Sequence, residues 1–206
     1  MAPHLEPGSL KQAAEIGLRK LKQGNARFVR GEARFPTVCK ETLASLAKKQ
    51  KPFATILGCS DSRVPPELIF DANFGELFIV RVAGNVTSPE VMGSLQYAGA
   101  HLRTPLFLVL GHEGCGAVKA ALQQKLEGIE LHCRIQLLIN NILPGLPQFN
   151  TPVSPKEKLE RAIESNVRWS MHQIRETPEW RNATKLGAKL QGAVFEIGTG
   201  RVRFLK

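Results

Sequence analysis

Four cysteines among 206 residues are too few to build a disulfide scaffold in a chain of this length. One tyrosine and two tryptophans offer little surface on which nucleobases could stack. Acidic residues are in the minority, 18 Asp and Glu against 28 Lys and Arg, giving a formal charge of +10. The cations are nevertheless scattered over several segments and no nucleic-acid-binding motif accompanies them, so the excess reads as a solvated basic surface that attracts anions. No apolar run approaches the roughly 18 residues of a membrane-spanning helix. The opening MAPHLEPGSL lacks the apolar stretch of a secretory signal, and there is neither an internal repeat nor a low-complexity tract. These absences predict a cytoplasmic protein with no membrane span and no nucleic-acid partner. With 43% hydrophobic and 22% charged residues, the chain suits one α/β domain over residues 1–206 with a sizeable core. It divides into a helical arm (1–50), a central stretch (51–127), and helices followed by a hairpin (128–206).

What is present is first of all periodic. Ser9 and Gln12 make a capping box, after which Leu10, Ala14, Leu18, Leu21 and Phe28 recur at helical spacing up to Gly31. Lys40 to Lys49 reads as a second short amphipathic helix. Both leading helices must find an apolar surface outside the crossover helices of a sheet, and a partner subunit is one candidate. Three continuous apolar runs follow: Phe53 to Leu57, Leu77 to Val82 and Leu106 to Leu110. Short, β-branched and aromatic, they read as strands buried on both faces of a parallel sheet. Ser88-Pro89-Glu90 opens a helix with a buried stripe of Val91, Leu95, Ala98 and Leu102, and Gly116 to Leu126 forms another. Strand, helix, strand, helix, strand is the pattern of right-handed crossovers. Leu131 to Leu143 reads as helical and Pro144 to Pro155 as a surface loop. Ser154-Pro155-Lys156-Glu157 opens a helix to about Glu176 that buries Leu159, Ile163, Val167 and Ile174. Ala193 to Ile197 and Val202 to Phe204, joined through Thr199-Gly200, predict a hairpin.

The chemistry is concentrated at strand ends. Cys59, His112 and Cys115 all fall at or just past the C-terminal ends of predicted parallel strands, where open α/β sheets build their sites. His-Glu-Gly-Cys places His112 and Cys115 three residues apart in a glycine-containing turn, close enough to bind one ion. Two thiolates and an imidazole suit zinc, and three protein ligands with a fourth position for water is the pattern of catalytic zinc. Asp61, two residues beyond Cys59, is able to close the tetrahedron instead, as in a structural site. Arg63, two residues further on, can hold the Asp61 carboxylate in a bidentate pair and keep it off the metal. Both states stay open, and with them a switch between an open and a closed metal. His132-Cys133 offers no second metal pair, because adjacent residues on a helix point about 100° apart.

The segments CSDSRVPPE and GHEGCGAV resemble the two signature motifs of the β-class carbonic anhydrases, and the likeness is close from about Phe53 to Lys119. It implies a lyase that interconverts CO2 and bicarbonate through a zinc-bound hydroxide. One Zn2+ per subunit would sit on Cys59, His112 and Cys115, with Asp61 and Arg63 as the catalytic dyad. It also implies a mostly parallel sheet, a four-stranded core extended by a C-terminal strand. The subunit would pair into a homodimer or larger homo-oligomer whose N-terminal helices pack on the partner. Gln50, Phe78 and Tyr97 match pocket positions of the family's plant-like branch, where the glutamine and tyrosine serve the neighbouring subunit's metal. Val64 joins them as an apolar wall, and the Gly116 backbone matches a region that lies against substrate. Ile56 stands where the bicarbonate-inhibited branch has tryptophan, whereas Gly58 and Arg81 match that branch. Hydrolysis of COS or CS2 at the same site, or a non-catalytic zinc-stabilised scaffold, are the competing readings.

Overall fold

Five strands form one sheet in the order β2-β1-β3-β4-β5. They are β1 (Ala54–Gly58), β2 (Leu77–Arg81), β3 (Leu106–His112), β4 (Lys189–Phe195) and β5 (Val202–Phe204). The computed structural model describes residues 6–34, 39–130 and 132–206. The first four strands are parallel, with Gly58 level with both Arg81 and Leu110, and His112 level with Phe195. β5 runs antiparallel to β4. The C-terminal hairpin is therefore present, and its first arm is longer than expected and serves as the fourth parallel strand. β1 and β3 are buried along their whole length. β2 corrects the expectation of burial on both faces: it is an edge strand, half-exposed from Leu77 to Val80. A continuous apolar run reports hydrophobicity, not position in the sheet.

Helices cover both faces. α1 (Lys11–Val29) buries Ala14, Gly17, Leu18, Leu21, Gly24 and Asn25, and it packs on β3 and β4 of its own chain. Its apolar stripe is thus covered by its own sheet, not by a partner. Small residues allow this. The Cβ position of Gly17 lies 3.1 Å from the Phe53 carbonyl oxygen and 3.4 Å from Leu106. The expected capping box is absent, because α1 starts at Lys11 with no side-chain cap. The chain entering it is tied instead by Gly8 and Leu10 N–H groups donating to the Lys185 and Leu186 carbonyls. α2 (Lys40–Leu46) buries no residue.

α3 (Pro66–Ile69) follows the first motif, and α4 (Pro89–Ala100) starts as expected, with the Ser88 hydroxyl accepting from the Val91 N–H. α5 (Gly116–Glu127) follows β3. α6 (Ile135–Ile142) begins four residues later than expected, since Cys133 takes a positive φ of 71° that ends any helix there; Leu131 lies outside the described residues. α7 (Pro155–Arg175) is capped by Ser154 and buries Ile163, Val167 and Ile174, with Leu159 half-buried. α8 (Pro178–Lys185), capped by Thr177, was not anticipated. The Cβ position of Gly111 meets Val167 of α7, whereas Leu106 meets Gly17 of α1. Five residues apart in one strand, these two positions point to opposite faces, so α7 and α1 sandwich the sheet. No helix among the described residues is long and apolar enough to cross a membrane.

Candidate metal centre

The parallel register brings the ends of β1 and β3 side by side, and the candidate ligands with them. Cys59 directly follows β1, His112 is the last residue of β3, and Cys115 is the N-cap of α5. Gly114 between them takes φ +66°, a left-handed turn that returns the chain toward His112. One ligand atom from each of Cys59, His112 and Cys115 lies within 4.8 Å of the other two, and all three residues are buried.

Local hydrogen bonds decide which imidazole nitrogen is free. His112 Nδ1 lies 2.9 Å from the Glu113 carbonyl oxygen. A carbonyl only accepts, so Nδ1 carries the proton and Nε2 the lone pair. That Nε2 is buried without a hydrogen-bond partner among the described residues. A buried, unpaired acceptor beside two thiols costs free energy unless something electron-deficient occupies the space, and a metal ion meets that need. The donor set therefore fits a metal. The thiols are electrically coupled. Hydrogen bonding from Cys115, with a smaller contribution from the Gly84 N–H, lowers Cys59 to about 4 despite its burial. The same pairing with Cys59 and deep burial push Cys115 up. A pair poised with one thiol already ionised suits ligands that must be thiolates to bind.

Asp61 stands at the edge of this cluster. Its Oδ1 accepts from Arg63 Nε at 2.9 Å and from the Arg63 backbone N–H at 3.0 Å. Its Oδ2 accepts from Arg63 Nη2 at 2.7 Å and lies 3.9 Å from His112 Nε2. The Arg63 guanidinium holds the Asp61 carboxyl well below the usual carboxylate range, against a smaller opposing effect of burial. The Asp61 carboxylate is thus paired with the Arg63 guanidinium through both of its oxygens. The loop that carries both residues is clamped by Arg81, whose Nε donates to the Cys59 carbonyl at 2.9 Å and whose Nη2 donates to the Asp61 carbonyl at 2.6 Å. This clamp was not legible in the sequence, where Arg81 stood only as a match to the bicarbonate-inhibited branch. Gly84, which ends the run after β2, donates its N–H to Cys59 Sγ at 3.3 Å.

The other pocket residues divide. Val64 is buried and follows Asp61 and Arg63 in the same turn, its N–H donating to the Asp61 carbonyl. Gly116 opens α5 with free space where a Cβ would stand. Gln50, Phe78 and Tyr97 are not brought to the cluster. Gln50 is exposed and precedes β1, Phe78 pairs with Thr55, and Tyr97 stacks near Phe78 at 6.2 Å between ring centroids. Four residues of strand separate Thr55 from Cys59, about 13 Å at the rise of an extended chain. His101 and His132 are exposed, and His101 stacks on Tyr97 at 5.0 Å.

Residues 54–202 match the model of the carbonic anhydrase family. A carbonic anhydrase of Mycolicibacterium smegmatis is 43% identical over 128 residues, 62% of this chain and 62% of that protein. Carbonic anhydrase 2 of Mycobacterium tuberculosis is 51% identical over 104 residues, 50% of each. The chain thus matches between half and two thirds of the length of these relatives. Among solved structures, the β-carbonic anhydrase CafA of the fungal pathogen Aspergillus fumigatus superposes with a TM-score of 0.72 at 26% identity, covering 93% of this chain and 90% of that one.

Proposed function

The chain belongs to the β-class carbonic anhydrases, and from that premise we propose that it catalyses the reversible hydration of carbon dioxide to bicarbonate and a proton at the Cys59, His112 and Cys115 cluster. One observation carries the reading: a buried His112 Nε2 with no hydrogen-bond partner among the described residues, grouped with two cysteines and 3.9 Å from a carboxylate that arginine holds in place. Cys59 Sγ, His112 Nε2 and Cys115 Sγ would hold one zinc per subunit, the metal that suits this donor set. When bound, zinc supplies a Lewis acid able to bring the pKa of a water from about 15.7 towards about 7.

The chain's own residues supply direction. An ionised carboxylate offers about four acceptor sites. Oδ1 of Asp61 receives two donors from Arg63 and Oδ2 receives one, so the open acceptor lies on Oδ2, the oxygen on the His112 side. There it accepts a hydrogen bond from the attacking oxygen and so turns a lone pair of that oxygen toward the substrate. Because Arg63 keeps Asp61 ionised, the carboxylate acts as an acceptor throughout the neutral range and does not compete for the cluster. Val64 gives the uncharged substrate an apolar wall. Gly116, exposed at the start of α5 with open space where a Cβ would stand, leaves room for a product oxygen. The engagement of Asp61 by Arg63 also weighs against a closed, purely structural site. The two buried free thiols suit a reducing compartment such as the cytoplasm.

Gln50, Phe78 and Tyr97 lie toward the starts of the parallel strands, away from the cluster at their C-terminal ends, so in this reading they complete the pocket of a second copy. The half-exposed apolar strand β2 at the sheet edge, with Phe74 and Tyr97 exposed nearby, supports a homodimer or a larger homo-oligomer built on it.

Stopped-flow measurement of CO2 hydration on the zinc-loaded protein tests the proposal, with COS and CS2 assayed in parallel. The expected result is rapid CO2 hydration, abolished by chelation of the metal and restored by zinc. Zinc-replete protein that leaves CO2 at its uncatalysed rate would overturn the proposal, and turnover of COS or CS2 alone would move the assignment to those substrates.

A further inference from the structure

The turn after β2 carries a device that the reaction does not obviously need. Ala83–Asn85 forms a single 3₁₀ turn in which both Gly84 and Asn85 take positive φ, 71° and 45°. Such a conformation is unfavourable for a residue bearing a side chain and persists only where the surroundings enforce it. At Gly84 they leave no room for one, since a Cβ would stand 2.8 Å from Ile142 Cδ1 and 3.1 Å from Ala117 Cβ. The outcome is that the Gly84 N–H points at Cys59 Sγ, 3.3 Å away.

The turn is held from α7. Asn166 Nδ2 donates to the Gly84 carbonyl at 2.8 Å, and Ser170 Oγ donates to the Asn85 carbonyl at 3.0 Å. One turn further along, Gln173 Oε1 accepts from Thr87 Oγ1 at 2.6 Å. Asn166 and Ser170, four residues apart on one helix face, are each only 1% exposed and sit among Ala162, Ile163, Val167, Met171 and Ile174. Placing an amide and a hydroxyl there costs free energy that an apolar side chain would not. Among the described residues Asn166 Oδ1 has no hydrogen-bond partner, and the side chain is held through its Nδ2 bond to Gly84. Packing does not explain why the stripe is polar at these two places; grip on the turn does.

We propose that Asn166, assisted by Ser170, is a positioning residue for the metal centre: by pinning the Gly84 and Asn85 carbonyls it aims the Gly84 N–H at the Cys59 sulfur and so fixes the direction and donor strength of that ligand. The proposal rests on the reading of Cys59 as a metal ligand. An N–H bond to a thiolate withdraws electron density from the sulfur, so its loss alters the sulfur–metal bond as well as the fold. Partners of this kind typically change metal affinity by about 10- to 100-fold.

Cobalt(II) loaded in place of zinc makes the effect visible. Wild-type protein, Asn166→Ala, Ser170→Ala and Thr104→Val are each loaded with cobalt. The near-ultraviolet sulfur-to-cobalt band and the rate of metal release to a chelator are then recorded. Thr104 is the control for general destabilisation, because its buried hydroxyl donates to the Ala98 carbonyl at the other end of β3. Asn166→Ala is expected to shift the band and to release metal about 10- to 100-fold faster, Ser170→Ala to move both readouts the same way by less, and Thr104→Val to leave both at wild-type values. Should Asn166→Ala not fold, the shift in Ser170→Ala decides. Wild-type band and release rate in a folded Asn166→Ala, or in Ser170→Ala where that variant decides, would overturn the positioning role. Wild-type protein that binds cobalt with no sulfur band would instead overturn the underlying reading of the site.

Discussion

Asp61→Asn is expected to lower CO2 hydration by roughly 100- to 1,000-fold, the usual cost of removing one oriented polar group at a reacting centre, with zinc content and fold unchanged. The substitution keeps the shape of the side chain and removes what the chemistry uses. An amide has a single acceptor oxygen, and its NH2 would face the guanidinium of Arg63, which offers only donors. The two-pronged grip seen at 2.9 and 2.7 Å is then lost, and with it the direction of the remaining acceptor. Arg63→Ala should fall by a comparable factor for a complementary reason: the carboxylate survives and its anchor does not. The cluster is built from Cys59, His112 and Cys115 without Asp61, so both variants should retain stoichiometric metal. Stopped-flow turnover and metal analysis on the same samples give the check, and wild-type rates in either variant would show that the pair has no part in the reaction.

Gly24→Ala is the change expected to cost most stability. A Cβ on Gly24 would overlap the Phe70 carbonyl oxygen and stand 2.6 Å from its carbonyl carbon. The obstacle is backbone, held by the Phe70 N–H donating to the Pro66 carbonyl at 3.0 Å, and it cannot swing aside as a side chain would. The neighbouring Asn25 ties the same junction, donating to the Ile69 and Gly200 carbonyls and accepting from the Val202 N–H. Overpacking costs about 1–3 kcal/mol or more, and alanine returns only about 1 kcal/mol of helix propensity. A net loss of about 1–2 kcal/mol lowers the melting temperature of a chain this size by about 2–8 °C. Thermal melts at fixed zinc and protein concentration measure it, and an unchanged or higher midpoint would show that α1 does not seat on this junction.

These two residues also mark what the amino-acid order does and does not reveal. Asp61 and Arg63 were legible because ligand chemistry is local: a thiol, a carboxylate and a guanidinium on alternate residues after an apolar strand have no role in a core. His112 and Cys115 followed from the same logic at the end of β3. The stripe of α1 was equally visible, but a stripe says only that a face is apolar, not what covers it. Gly17, which lets the helix approach the sheet, and Gly24, which lets it approach the Phe70 backbone after α3, carry no hydrophobic signal. The half-exposure of β2 was hidden for a related reason, since an edge strand can be as apolar as a central one. α8 could have been found, as Thr177-Pro178-Glu179 repeats the start signal of Ser88-Pro89-Glu90 and Ser154-Pro155-Lys156-Glu157. Asn166 and Ser170 could not, because a search for apolar periodicity passes over the polar residues embedded in it. The clamp of Arg81 on the carbonyls of Cys59 and Asp61 depends on strand register, which no single stretch of sequence contains.

The most direct test of the account is a crystal structure of the zinc-loaded protein at neutral pH. It should show one zinc on Cys59 Sγ, His112 Nε2 and Cys115 Sγ, a fourth ligand that does not come from the protein, and the Asp61 carboxylate still paired with Arg63. A zinc ion whose fourth ligand is Asp61, with Arg63 released, would contradict it.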